Sequence, residues 1–131
     1  MTDAAERKVR EFFDRIWNAG DDSAAETLFA PGFRHHDLVT HAEADLAGFL
    51  ESIRWIRSLF TALEFQVLDA VAQEGRVATR WRAEGQHGAT GRRVRIDGMS
   101  FDHVRDEQIV EDWTVWDRVG LREQLPQEFA S

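Results

Sequence analysis

The chain has 131 residues, with 16 basic against 24 acidic side chains and a formal net charge of −8. That length fits one domain, residues 1–131, burying roughly 68% of the surface its unfolded chain exposes. The acidic balance argues against nucleic acid and anionic membranes as partners, and the absence of cysteine excludes disulfides, thiol nucleophiles and Cys-based zinc sites.

Nine Phe and five Trp stand beside no Tyr, which rules out a phenol as acid or oxyanion donor. No apolar run reaches the roughly 20 residues of a membrane span. Met1 to Arg10 lacks the apolar stretch of a secretory signal, so a cytoplasmic protein is the expectation.

Val9, Phe12, Phe13, Ile16 and Trp17 fall on one helical stripe, which Thr2 can cap and Gly20 can end. A short helix from about residue 22 to residue 29 stops at Pro31-Gly32, and residues 33–38 read as extended. Leu46, Phe49, Leu50, Ile53, Ile56 and Phe60 mark a third helix over about 43–60. Strands follow, around residues 63–67, 76–84, 93–96, 99–105 and 108–116, then a last short helix over about 118–125. Helices followed by a strand meander predict an α+β fold, with a cavity between the two layers.

The turn around Arg105-Asp106-Glu107 decides which side chains share a face. A two-residue loop sets His103 opposite Trp113 and Asp117, and a three-residue loop puts it with Ile109, Glu111, Trp113, Val115 and Asp117. The three-residue loop is preferred because Met99 and Phe101 then join Ile109 and Trp113 in an apolar wall, at about 1 kcal/mol for a left-handed Glu107. Val110, Thr114 and Trp116 then face away. A carboxylate and an imidazole among apolar rings suit general acid/base work, yet Asp117 also stands where it could simply cap the last helix.

His35, His36 and His41 cluster around Asp37, but their spacing matches no zinc pattern. No metal is expected, and His36 is placed at the rim of the pocket.

Asn18-Ala19-Gly20-Asp21, His36-Asp37, Gly75-Arg76-Val77, Arg80-Trp81 and Gly85-Gln86-His87-Gly88 come in an ordered series. Thr90-Gly91-Arg92-Arg93-Val94, Ile109-Val110-Glu111-Asp112-Trp113 and Trp116-Asp117-Arg118 continue it. In order and spacing they resemble the SnoaL-like polyketide cyclase family of the NTF2-like superfamily, over nearly the whole chain. The resemblance implies a cone-shaped α+β barrel, a curved mixed or antiparallel sheet with three N-terminal helices around an apolar pocket. It implies cofactor-independent catalysis, an intramolecular aldol ring closure or a related lyase or isomerase step.

In that picture Asp117 is the general acid/base, and His103 orients it or bonds the developing oxyanion. Trp17, Phe33, His36, Phe49, Phe60, Trp81, Met99, Phe101 and Trp113 line a site for a small apolar molecule, polycyclic or carbonyl-bearing. The resemblance further implies a homodimer or higher homo-oligomer through the outer face of the sheet. Ketosteroid isomerases and scytalone dehydratases of the same superfamily use pocket tyrosines, which this chain lacks. A non-catalytic small-molecule binder is one alternative. An epoxide-hydrolase-like enzyme, with Arg80 joining Asp117 and a second aspartate, is the other.

Overall fold

The computed structural model describes residues 2–126. Helix α1 (Ala4–Phe12) begins at Asp3, whose carboxylate accepts the amides of Ala5 and Glu6 and so takes the capping place assigned to Thr2. A π-helical turn, Phe13–Asn18, continues it and keeps Phe13 and Ile16 buried. Gly20 ends the segment at φ +67°, and a Cβ there would meet the Arg57 guanidinium at 2.2 Å. A 3-10 turn, Asp22–Ala24, leads into the single-turn helix α2 (Ala25–Leu28).

Strand β1 (Phe29–Asp37) starts before Pro31 and absorbs Pro31-Gly32 as a register shift against its neighbour. The three-residue strand β2 (Glu43–Asp45) precedes helix α3 (Leu46–Leu59), which Asp45 caps through the amide of Gly48. The remaining strands are β3 (Phe60–Gln73), β4 (Arg76–His87), β5 (Arg93–Arg105) and β6 (Gln108–Trp116). Helix α4 (Arg118–Gln124) closes the described chain.

The sheet has the order β2-β1-β6-β5-β4-β3, with β1 parallel to β6 and the other pairs antiparallel. This corrects the expected barrel. β2 and β3 stand at opposite edges without hydrogen-bonding to each other, so the sheet is open. A three-residue β2 offers too few backbone groups to close on the fourteen-residue β3. Instead α1, its π-turn and α3 cover one face, packing Val9, Phe12, Phe13, Ile16, Phe49 and Ile53 against Phe33, Phe65, Val77, Trp81, Ala83 and Ile109.

The β5–β6 hairpin differs from the expected one. Asp106 and Glu107 form a two-residue loop with φ of 52° and 63°, and Arg105 pairs with Gln108. Two successive left-handed residues are the signature of a type I′ turn, whose twist matches that of the strands. A bulge follows at once, because Val104 pairs with Ile109 but His103 pairs with Glu111. The extra residue restores His103 and Trp113 to a common face. That face is the outer one.

Candidate functional site

A cavity of about 330 Å3 lies between the helices and the covered face of the sheet. Phe12, Phe13, Phe49, Phe65, Trp81 and Trp116 supply much of its wall. Trp17 stacks on Phe65 at 4.2 Å between ring centroids. Gly98 faces Trp81 so closely that an added Cβ would stand 2.2 Å from the indole ring.

Two polar rows cross this apolar chamber, each made by residues in register on adjacent strands. The first runs His35, Asp112, Asp102 across β1, β6 and β5. Directly opposed side chains on one face have Cβ atoms about 4.5–5.5 Å apart. All three line the cavity, and both aspartates are buried, at 2% and 3% exposure. His35 Nδ1 stands 2.7 Å from Asp112 Oδ1 and donates to it when that nitrogen carries the proton. The imidazole is held flat against Phe49, with centroids 4.2 Å apart.

Burial pushes the Asp102 carboxyl well above the usual carboxylate range, and the neighbouring charge of Asp112 pushes it further. Burial raises Asp112 as well, but the hydrogen bond and charge of His35 oppose the rise. Two like charges side by side in an apolar chamber do not both ionise readily. The proton therefore resides on Asp102, and the imidazole favours the anionic form of Asp112.

The second row, two residues further along each strand, runs Asp37, Thr114, Ser100, Thr79 across β1, β6, β5 and β4. Asp37 is fully engaged. Its Oδ2 accepts the Trp116 indole N–H at 3.0 Å, and its Oδ1 accepts the amides of Val39 and Thr40. Ser100 Oγ accepts the Trp81 indole N–H at 3.0 Å and lies 3.1 Å from Thr114 Oγ1.

The residues named from sequence divide accordingly. Trp17, Phe49, Phe60 and Trp81 line the cavity, whereas Phe33 is wholly buried in the core beside it. His103, Met99, Phe101 and Trp113 lie on the outer face, in register with Glu111, Val115, Trp113 and Phe101 respectively. Thr114 and Trp116, assigned outward, point into the cavity. His36 is also outside, bonded to Glu43 at 2.9 Å and Glu111 at 2.6 Å and stacked on Trp113. Asp117 is exposed and caps α4, its Oδ1 accepting the Gly120 amide at 2.8 Å.

His35, Asp102 and Asp112 are the polar groups that sequence reasoning passed over as site residues. One signal was present. If Phe33 is in the core, the two-residue period of a strand sends His35 and Asp37 inward and His36 outward. Among the described residues no group of three or more His, Asp or Glu side chains has an arrangement that could hold a metal ion. No helix among them is long and apolar enough to cross a membrane.

The family model described as SnoaL-like polyketide cyclase matches residues 7–125. The chain belongs to this family. Among solved structures, the SnoaL-like chain is similar to IdmH, a candidate polyketide cyclase from Streptomyces antibioticus, at 27% identity and a TM-score of 0.85, covering 93% of this chain and 98% of that one. A candidate polyketide cyclase from Acidithiobacillus ferrooxidans shares the fold, at 22% identity and a TM-score of 0.85, over 97% of each chain. AclR, a candidate hydroxylase from Streptomyces galilaeus, is 25% identical with a TM-score of 0.80, covering 95% of this chain and 87% of that one. No curated protein sequence matches. SnoaL-like membership, together with these relatives, supports an enzymatic role and a pocket for a small molecule.

Proposed function

We propose that this SnoaL-like protein is a cofactor-independent acid/base enzyme that removes a proton from carbon made acidic by a carbonyl, either adjacent or conjugated through a ring, and directs the resulting enolate within one small, flat, apolar molecule. The observation that carries this reading is the row His35–Asp112–Asp102, which sets two buried carboxyls side by side in an apolar cavity, Asp112 bonded to an imidazole and Asp102 not. Separated proton affinities in one site are what general base and general acid require.

Asp112 takes the proton from carbon, and the electron pair left behind forms the enolate. In a ring closure that enolate attacks a second carbonyl carbon. A carbon–carbon bond forms, and the carbonyl oxygen gains the charge. Asp102 gives its proton to that oxygen, and Asp112 then holds the proton taken from carbon. Transfer between the two carboxyls restores the starting state without oxidation or reduction.

The hydrolase alternative requires an arginine beside its two aspartates. Among the described residues no arginine lines the cavity, and Arg80 is exposed on the outer face. A second copy of the chain is the proposed partner of that face, where Met99, Phe101 and Val115 are exposed.

The test is deuterium incorporation at the methylene of anthrone, a flat carbon acid, followed by NMR in heavy water under anaerobic conditions. Wild-type protein accelerates the exchange. Asp112→Asn lowers it by roughly 10²-fold or more, the usual contribution of a positioned base. Exchange in Asp112→Asn at the wild-type rate sinks the reading.

A further inference from the structure

The Ser100–Thr114 hydroxyl pair holds one proton more than the protein uses. Ser100 and Thr114 bring two hydroxyl protons. The Trp81 indole donates to Ser100, so it consumes neither. One hydroxyl donates to the other across 3.1 Å, in either direction. The other proton then has no acceptor, because among the described residues no further acceptor is bonded to either hydroxyl. Both side chains line the cavity, so the spare O–H faces the ligand space. Thr79, next in the row, is 1% exposed and its hydroxyl has no partner among the described residues, so nothing on that side takes the proton either.

We infer that the Ser100–Thr114 pair is an oxyanion donor, and that the substrate is a ring-conjugated carbon acid whose oxygen lies across the ring from the carbon Asp112 deprotonates. The inference rests on the proposed function and adds a substrate class to it. Residues two apart on a strand are about 6.8 Å apart, so base and donor stand on neighbouring rows of one face. A molecule with its acidic C–H and its carbonyl on the same edge engages only one row. When C–H and C=O face each other across a flat ring, both rows are engaged. Loss of the proton to Asp112 then drives the electron pair through the ring to the oxygen, where the spare hydroxyl meets it. Reprotonation from solvent reverses the step. The Trp81 indole holds Ser100, and Asp37 holds the Trp116 indole, so the donor is positioned before charge develops.

The proton count gives the pair a distinctive mutational pattern. In Thr114→Val the Ser100 proton is freed from its neighbour and still reaches the ligand. Only the double variant Ser100→Ala/Thr114→Val, with all arms made in a Trp81→Phe background so that the indole N–H released by the loss of Ser100 is absent too, removes every donor. Two readouts separate this role from a structural one. The first is the affinity ratio of anthrone to 9,10-dihydroanthracene, its hydrocarbon counterpart, read by quenching of the cavity tryptophans. Wild-type protein prefers the ketone by about ten-fold, the worth of one hydrogen bond in a dry site. Thr114→Val keeps that preference and the double variant loses it, while affinity for the hydrocarbon stays the same. The second readout is anthrone exchange, whose kcat falls by roughly 10²-fold in the double variant with little change in KM.

A ketone preference that survives in the double variant, that vanishes in Thr114→Val alone, or that wild-type protein lacks overturns the inference. Asp112→Asn distinguishes the two proposals. It retains the ketone preference if the donor pair is right, and its exchange rate reports on the base alone.

Discussion

At the scale of single residues, a one-position difference separates His35 from His36, and the two imidazoles live in different worlds. His35 orients a buried carboxylate, and His36 bridges two surface glutamates. Choosing His36 together with Phe33 as pocket residues breaks the two-residue alternation of a strand. Asp102 carries a consequence for stability. Its carboxyl is raised in the folded state from an ordinary value of 3.8, so the native fold favours the protonated form. Below that ordinary value both folded and unfolded chains hold the proton, and no penalty exists. As pH rises the unfolded chain ionises first, and native stability falls until the folded group ionises too. Asp102→Asn removes this drain. The melting temperature of the variant relative to wild type is expected to rise over the range above about pH 4, until the folded Asp102 ionises as well. A difference that is flat across that range contradicts the burial account.

At the scale of elements, the stop at Gly20, the stripes of α1 and α3 and the strands β4 and β6 were legible, because periodicity reports them directly, whereas β5 was read as two strands broken at Asp97-Gly98. The hairpin between β5 and β6 was not. Its two faces are both apolar. Met99, Phe101, Trp113 and Val115 occupy one, and Val104, Ile109 and Trp116 share the other with two aspartates. Hydrophobicity alone then selects the face richer in large side chains, which here is the outer one. The bulge at Val110 adds a second hidden inversion, since a type I′ turn plus one extra residue mimics the parity of a three-residue loop. β2 escaped notice because three residues carry no period. α4 illustrates the other half of the outcome. Asp117 caps it, and a Cβ on Gly120 would stand 2.2 Å from Asp117 Oδ2. Asp117→Ala is expected to destabilise the chain by about 1 kcal/mol, lowering the melting temperature by roughly 3 °C, while Asp117→Asn retains most of the stability. Circular dichroism melts check both.

At the scale of the whole molecule, the outer face of the sheet presents a row that crosses four strands: Val71, Ala78, Phe101 and Trp113, each in register with the next. Val71 and Phe101 are 68% and 41% exposed, more than isolated surface apolars need explain when they stand in one line. Arg76 and Arg80 flank the row on β4, and Glu43 and Glu111 flank it on β2 and β6. Phe101→Glu is expected to convert a dimer to a monomer at micromolar concentration while leaving the melting temperature of the fold little changed. Light scattering on both proteins decides it, and a monomeric wild type removes the proposed interface.

Gly98 gives the cavity a property that its aromatic walls alone do not. The Trp81 indole lies where a Cβ at position 98 would be, so the depth of the chamber is set by bare backbone. Any other residue there displaces the indole inward, and the space lost is space for the ligand. The position acts as a gauge of ligand thickness that one codon can reset, leaving the acid/base row on the neighbouring strand positions untouched. Divergence in substrate size among chains with this lattice of side chains thus has a route that leaves His35, Asp112 and Asp102 in place, while moving the indole that holds Ser100.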